Sequence, residues 1–441
     1  MPDATICAVA TPPGRGGIGV VRLSGPDTGS LTEAVAGPLP APRRASMRRF
    51  AGDDGSAIDE GLVLWFPGPH SFTGEDVAEL HGHGGPVVMD RLLQRLLGLG
   101  ARLADPGEFS QRAYVNGRMD LTRAEAIADL IEAGSESAAR AAVRSLQGEF
   151  ADTINGLVQR LTDQRVHLEA GIDFADEPLE GLALDNVTRS IEAIAAEVAA
   201  TREAASRGQQ LREGLSVVIA GRPNAGKSSL LNALAGRDAA IVTALAGTTR
   251  DVLESYLHLD GLPLRVLDTA GLREGGDVVE QEGVRRARQA MAAADCILMV
   301  VDDAAGDDAA VAPADWPRDT PVTVVYNKID CSGRAPGQSA AGVAVSALTG
   351  AGMEALRDHL RSRLGADDTE AVFIARRRHL QALDAAAAHI DTALEAARAG
   401  AGEELVAESL GAAQASLGEI TGAVTTEDLL GRIFSTFCIG K

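Results

Sequence analysis

The stretch "GRPNAGKSS" limits this chain more than any other. Gly221, Gly226, Lys227 and Ser228 fit G-x-x-x-x-G-K-[ST], and the pattern has the surroundings it needs: the apolar run "LSVVIA" before it and "SSLLNALAG" after it. A strand, a tight glycine turn and a helix N-terminus together point backbone N–H groups at phosphates, with the partial positive charge of the helix end behind them. Asn224, Ala225, Gly226, Lys227, Ser228 and Ser229 therefore form the phosphate cradle. Lys227 reaches the terminal phosphates, and the Ser228 hydroxyl is suited to Mg²⁺. The strands around such a loop should be short, branched and apolar, because helices cover both faces of the sheet. "LPLRVLD", "CILMVVDD" and "PVTVVYNK" have that character.

Two further motifs follow in order. "DTAG", Asp268, Thr269, Ala270 and Gly271, ends a strand-like run where the metal-side aspartate of a phosphate-loop enzyme belongs. "NKID" ends another, with Asn327, Lys328 and Asp330. A carboxylate at Asp330 accepts from both the ring N–H and the exocyclic amine of guanine, a donor pair that adenine lacks, so the nucleotide is read as GTP. "SALTG", from Ser346, falls where a base-backing loop is expected. Between the phosphate loop and "DTAG" lies "VTALAGTTRDV", a switch-like stretch in which Thr249 offers Mg²⁺ a second hydroxyl. In Ras-like enzymes a glutamine just after the "DTAG"-type turn orients the attacking water, and this chain has Leu272 there. Glu274, Glu280 and Glu282 are the alternatives. No arginine finger stands out beyond Arg250, and a monovalent cation at Asn224 is the other way to supply that charge.

The 441 residues suggest about three domains. Residues 1–120 alternate strand-like runs with the helical "PVVMDRLLQRLLGLG", which reads as a small α/β domain. Residues 121–212 and 366–441 are rich in Ala, Glu, Leu and Arg and read as two parts of one helical domain. Residues 213–365 form an inserted Ras-like α/β domain. With 62 acidic against 41 basic residues the formal charge is −21, which argues against sequence-blind binding of nucleic acid or membrane, although "PRRASMRRF" is a local basic patch. No signal-peptide pattern or bilayer-length apolar run is visible, so a cytoplasmic protein without membrane contact is expected. Cys7, Cys296, Cys331 and Cys438 have no disulfide or zinc spacing.

Strings along the whole chain, including "ATPPGRGGIGVVRLSG", "DPGEFSQRAYVNGRMDLTRAEAIADLI", "AGTTRD", "DTAGLRE" and the terminal "DLLGRIFSTFCIGK", resemble the MnmE (TrmE) family of tRNA-modification GTPases. That resemblance implies an N-terminal tetrahydrofolate-binding and dimerisation domain, a split helical domain and an inserted GTPase domain. It implies a homodimer whose GTPase activity depends on K⁺. The K⁺ ligands would be Asn224, Thr243, Leu245 and Thr248, within a nucleotide-contacting stretch of Thr243, Ala244, Leu245, Ala246, Gly247, Thr248 and Thr249. Ser228 and Thr249 would hold Mg²⁺, and Glu280 becomes the water-orienting carboxylate. Folate contacts, to the 5-formyl or 5,10-methylene form, fall on Arg22, Glu79, Arg118 and Lys441. Cys438 joins the modification chemistry. The implied partner is an MnmG-type FAD-dependent protein in a heterotetramer. With tRNA as substrate, the pair would add an aminomethyl or carboxymethylaminomethyl group to the wobble uridine.

Alternatives remain. The same GTPase motifs would serve an assembly or regulatory switch of the ribosome-biogenesis type with no part in chemistry. "HGHGG" suggests metal at His81 and His83 but has no third ligand nearby, so a glycine-rich turn near the folate pocket is the better reading. Cys438 has three readings. A lipid anchor is disfavoured by the Gly440-Lys441 tail. Core packing would follow if a helix from Thr425 or Thr426 put Leu429, Leu430, Ile433, Phe434, Phe437 and Cys438 on one face. The third reading is a thiol presented at the folate pocket.

Overall fold

The computed structural model describes residues 4–173, 184–235, 253–259, 262–268, 289, 291–292, 294–305, 320–363, 373–424 and 426–440. Near the N-terminus are β1 (Ile6–Val9), β2 (Gly16–Ser24), α1 (Thr28–Ala36), β3 (Ser46–Ala51), β4 (Ala57–Phe66), β5 (Val77–Gly84), α2 (Pro86–Gly98), β6 (Arg102–Leu103) and α3 (Glu108–Val115). The strands form a sheet of order β3-β4-β5-β2-β1-β6, antiparallel except for the β1–β6 pair. Period-two alternation sorts its faces. Val21, Leu23, Phe50, Val63, Trp65 and Leu80 point to one side, where Leu31 and Val35 of α1 and Met89, Leu92 and Leu96 of α2 cover them. Each fully buried leucine there contributes about 1.5–3 kcal/mol. The opposite side carries Arg22, Glu79 and His81, all half-buried, and Ile6 and Ala8 pack there against Phe109 of α3.

Then come α4 (Leu121–Glu132), α5 (Glu136–Gln147), α6 (Glu149–Asp173) and α7 (Leu184–Glu213). The nucleotide segment follows with β7 (Leu215–Ala220), α8 (Lys227–Ala235), β8 (Leu253–Leu259), β9 (Leu262–Asp268), β10 (Cys296–Asp302), β11 (Val322–Asn327), α9 (Ile329–Ser332), β12 (Gly337–Ser339), β13 (Gly342–Ala344) and α10 (Met353–Arg363). Its sheet runs β12-β13-β11-β10-β7-β9-β8, with parallel pairing from β13 through β9 and antiparallel β12 and β8 at the ends. The chain leaves β7 toward β9 on one side and later adds β10 on the other. That reversal opens a crevice at the carboxyl ends of β7 and β10.

The C-terminal part is α11 (Arg377–Ala399), α12 (Glu403–Thr421) and α13 (Glu427–Phe434). Along α12 the buried residues Val406, Leu410, Ala413, Leu417 and Ile420 recur every three or four positions, and Phe150, Ile154, Leu157 and Leu161 do the same on α6. The two helices pack on each other, and Arg165 donates to Gln414 Oε1 at 2.8 Å. Contacts divide the chain into two compact units, residues 1–128, 145–198 and 382–441 in one and residues 129–144 and 199–381 in the other.

A buried charge cluster lies in the second unit. Asp129 of α4, with a side chain 4% exposed, accepts from Arg212 Nε and Arg376 Nη2, both at 2.7 Å. Arg212 stands just before β7 and Arg376 just before α11, so one carboxylate holds the points where the chain enters and leaves the nucleotide segment. Beside them a Cβ at Gly208 would lie 2.3 Å from the Phe373 carbonyl oxygen, so only glycine lets the two passages come this close.

Candidate functional site

The crevice at β7 and β10 holds the phosphate loop. Asn224 and Gly226 turn through φ of 65° and 91°, and a Cβ on Gly226 would meet Asn327 Nδ2 at 2.2 Å. Lys227 is 9% exposed, and its ammonium donates to the carbonyls of Gly221 and Arg222 at 2.9 and 3.0 Å. These contacts hold the ammonium over the loop that phosphates would enter. Ala225 is buried, whereas Asn224, Ser228 and Ser229 are exposed. Asp268 ends β9 opposite Ile219 of β7, as the "DTAG" reading requires of the strand.

The base-side loops are tied directly to the phosphate loop. Asn327 is 2% exposed; its Nδ2 donates to the Ala225 carbonyl at 3.0 Å and its Oδ1 accepts from Ala347 N–H at 3.1 Å. One amide thus fixes three segments far apart in sequence. Ser346 donates to Asp330 Oδ1 at 2.5 Å and accepts from Thr349 N–H at 3.1 Å. The Ser346 hydroxyl holds the Asp330 carboxyl below the usual carboxylate range, so Asp330 is an ionised acceptor. Lys328 has φ of 66° and pairs with Asp302 at 2.6 Å. Sequence reasoning gave Ser346 only a weak role and missed the Asp302 partner. The acidic end of β10, "VVDD", was the signal for the second.

On the open face of the N-terminal sheet, Arg22 and Glu79 lie directly opposite across β2 and β5. Arg22 Nη2 donates to Glu79 Oε1 at 2.9 Å, and the His81 ring nitrogen Nε2 is 3.0 Å from Oε2. Burial raises the Glu79 carboxyl, yet the His81 hydrogen bond and the Arg22 charge outweigh it and leave the group below its ordinary range. The Arg22 guanidinium lies 5.4 Å from the centre of the Phe72 ring and 5.8 Å from that of Phe109. Arg118 is exposed, and its stem sits against Gly74 in the same loop as Phe72. Phe72 and Phe109 were not foreseen as parts of this cluster; His81 was expected near the folate pocket but in a glycine-rich turn, and it lies instead within β5. His83 turns to a different carboxylate, with Nδ1 2.8 Å from Asp59 Oδ1, and no group of metal-ligand side chains is found among the described residues. The metal reading of "HGHGG" is thereby left without support.

The terminal motif lies against the same sheet. Thr426 caps α13 by accepting from Leu429 N–H, and Ile433, Phe434 and Phe437 are buried against Leu121 and Ala124. The helix ends at Phe434, earlier than the expected one-sided pattern, and the turn after it leaves Cys438 exposed. Core packing therefore does not account for Cys438. Its carbonyl faces Gly107 N–H at 3.4 Å, and Gly440, with φ of 96°, lies so close to β1 that a Cβ would be 2.5 Å from the Val9 oxygen. Thr243, Ala244, Leu245, Ala246, Gly247, Thr248, Thr249, Thr269, Ala270, Gly271, Glu280 and Lys441 lie outside the described residues.

Comparison with known proteins adds a family. The profile for the MnmE helical domain matches residues 121–438, and that for the GTP-binding protein TrmE N-terminus matches residues 5–118. A relative named tRNA modification GTPase MnmE, from Alkalilimnicola ehrlichii, is 56% identical over 447 residues, covering 100% of both chains. Among solved structures, a single-substitution variant of Aquifex aeolicus Era bound to GDP·AlF4⁻ is 28% identical at a TM-score of 0.26, covering 40% of this chain and 66% of that one. The G domain of the T. maritima FeoB iron transporter is 21% identical at a TM-score of 0.24, covering 34% and 97%. On the two profiles and the full-length relative, the chain belongs to the MnmE (TrmE) family of tRNA modification GTPases.

Proposed function

We infer that this chain hydrolyses GTP as part of tRNA modification. The observation that carries the nucleotide half is the tie from Asn327 to Ala225, which joins the guanine-reading loop to the phosphate loop in one crevice. Full-length similarity to a tRNA modification GTPase carries the other half. Lys227 and the backbone N–H groups of residues 224–229 meet the phosphates, and Asp330, oriented by Ser346, reads the base. Glu280 orients the attacking water. Ser228 and Thr249 would hold Mg²⁺, and Asn224, Thr243, Leu245 and Thr248 a K⁺ ion that supplies the charge of an arginine finger. The exposed hydroxyl of Ser228 at the first turn of α8 suits that metal.

The finer reading assigns the Arg22, Glu79 and Arg118 face, with Lys441, to a tetrahydrofolate, which when bound supplies a one-carbon unit. An ionised Glu79 suits the amino and ring N–H donors of a pterin, and arginines suit the carboxylates of its tail. Exposed Cys438, on a tail packed beside β1, is placed in the modification chemistry at the wobble uridine. The protein works as a cytoplasmic homodimer with an MnmG-type flavoprotein in a heterotetramer. Nucleoside mass spectrometry of tRNA from a deletion strain tests the core of this reading: wobble uridines should lose their modification, and unchanged ones would refute it. Hydrolysis should fall sharply when Na⁺ replaces K⁺, and equal rates would remove the K⁺ assignment. Calorimetry with 5-formyl-tetrahydrofolate should show binding that Arg22→Ala weakens.

A further inference from the structure

Neither site uses the stretch "PRRASMRRF". Arg43, Arg44, Arg48 and Arg49 crowd into seven residues of a chain with formal charge −21. They lie on and just before β3, an end strand of the six-stranded sheet that pairs with β4 alone. Arg43, Arg44 and Arg49 are exposed and Arg48 half-buried, with Met47, 67% exposed, between them. Strand alternation puts Arg48 on one side of the sheet and Arg49 on the other, so the charges straddle the edge over about 20 Å.

Their bonding differs from that of the arginines held in ion pairs elsewhere in the chain. Arg102 and Arg112 meet Glu108, Arg212 and Arg376 meet Asp129, and Arg334 meets Asp303. The four at β3 make no ion pair with a carboxylate among the described residues. Main-chain carbonyls steady three of them: Arg43 donates to His70, Arg48 to Pro38 at 3.3 Å and Arg49 to Gly55 at 3.3 Å. A carbonyl orients a guanidinium without cancelling its charge, and each guanidinium has five N–H donors, so some are left for an outside acceptor. Arg49 stands opposite Glu60 in the β3–β4 register without a direct ion pair, whereas Arg43, Arg44 and Arg48 face no acid across the strand; planar forks set this closely match a row of phosphates.

We propose that the β3 edge is a docking surface for the phosphate backbone of tRNA. The proposal rests on the tRNA-modification reading above. Phosphate contacts position an RNA without reading its sequence, so this surface supplies affinity and orientation, while recognition of particular bases lies elsewhere.

The test uses the full-length chain and an unmodified tRNA transcript, with the dissociation constant measured by fluorescence anisotropy across about 50 to 250 mM salt. Replacing all four arginines by glutamine should weaken binding about 100-fold near 0.1 M salt and lower the slope of log affinity against log salt by about 3. The GTP hydrolysis rate should not change. A four-lysine variant should keep the slope, because charge and not fork shape sets counterion release. Should the glutamine variant melt early, the pairs Arg43→Gln/Arg44→Gln and Arg48→Gln/Arg49→Gln should each remove about half of the effect. An unchanged slope in the glutamine variants, as expected of a face meant for an acidic protein, would overturn the proposal; so would a lysine variant that loses the slope. A parent chain that binds no tRNA would overturn the tRNA reading and this surface with it, an outcome distinct from binding that survives the substitutions.

Discussion

Asp330 is exposed and ionised, and its side-chain hydrogen-bond partners among the described residues are Ser346 and Cys331. Substitution there should alter recognition without touching the core. In Asp330→Asn one acceptor becomes a donor, so guanine loses a charge-assisted hydrogen bond and meets an N–H facing its own. GTP affinity should fall by about 100-fold or more, from about 1.5–3 kcal/mol per bond to a charged group. Xanthosine triphosphate, with a carbonyl where guanine has its amine, should bind the variant better than GTP does. Competition with a fluorescent nucleotide measures both, and an unchanged preference for GTP would show that Asp330 does not read the base. The role proposed for Asp330 comes from "NKID" alone, because it depends on residue type at a strand end. The Arg22 cluster was legible only by resemblance. His81 meets Glu79 by the two-residue alternation of β5, but Phe72 and Phe109 reach Arg22 from a loop and from α3, which no local spacing encodes.

Periodicity made α2 readable, Ala- and Leu-rich composition the helices of the split domain, and short branched apolar runs the parallel strands, which are buried on both faces. β3 was hidden by its four neighbouring arginines: an end strand exposed along one edge needs few apolar residues, and Phe50 alone anchors it fully. The early end of α13 was hidden as well, because Phe437 stays buried after the helix stops and so preserves the apolar spacing. Asp129 belongs to this scale, since it fastens α4 to the residues before β7 and α11. In Asp129→Ala two guanidiniums, 27% and 14% exposed, lose their shared carboxylate. Breaking one partner out of a buried ion cluster costs about 3–5 kcal/mol. The melting transition of the nucleotide unit should drop by about 10 °C at about 2–4 °C per kcal/mol. A melting temperature within a degree or so of the parent would mean that packing at Leu211 and Ile374 holds the junction without the charges.

For the whole molecule, two electrostatic effects oppose each other as pH falls. The formal charge of −21 at pH 7 repels itself, and protonation toward the isoelectric point near 4.8 relieves that repulsion. Against this stand carboxylates held low in the folded state. Burial raises Glu79, Glu108 and Asp59, but in each case its partners win: His81 and Arg22, then Arg102, Arg112 and the Asp105 N–H, then His83 and the Glu60 N–H. A carboxyl whose folded pKa lies below its unfolded value of about 3.9–4.3 gives stability that is fully present above that value. This stability disappears as pH falls through the lowered folded values. Asp59 and Glu79 on the six-stranded sheet and Glu108 at the start of α3 should together make the N-terminal fold acid-sensitive. Melting temperature should therefore hold or rise slightly from pH 7 to about 5 and fall steeply below about 4. Glu108→Gln, which removes a carboxylate shared by Arg102 and Arg112, should lower the plateau and flatten the acid limb. A melting temperature that declined steadily between pH 7 and 5 would show that neither the net charge nor these carboxylates governs the pH response.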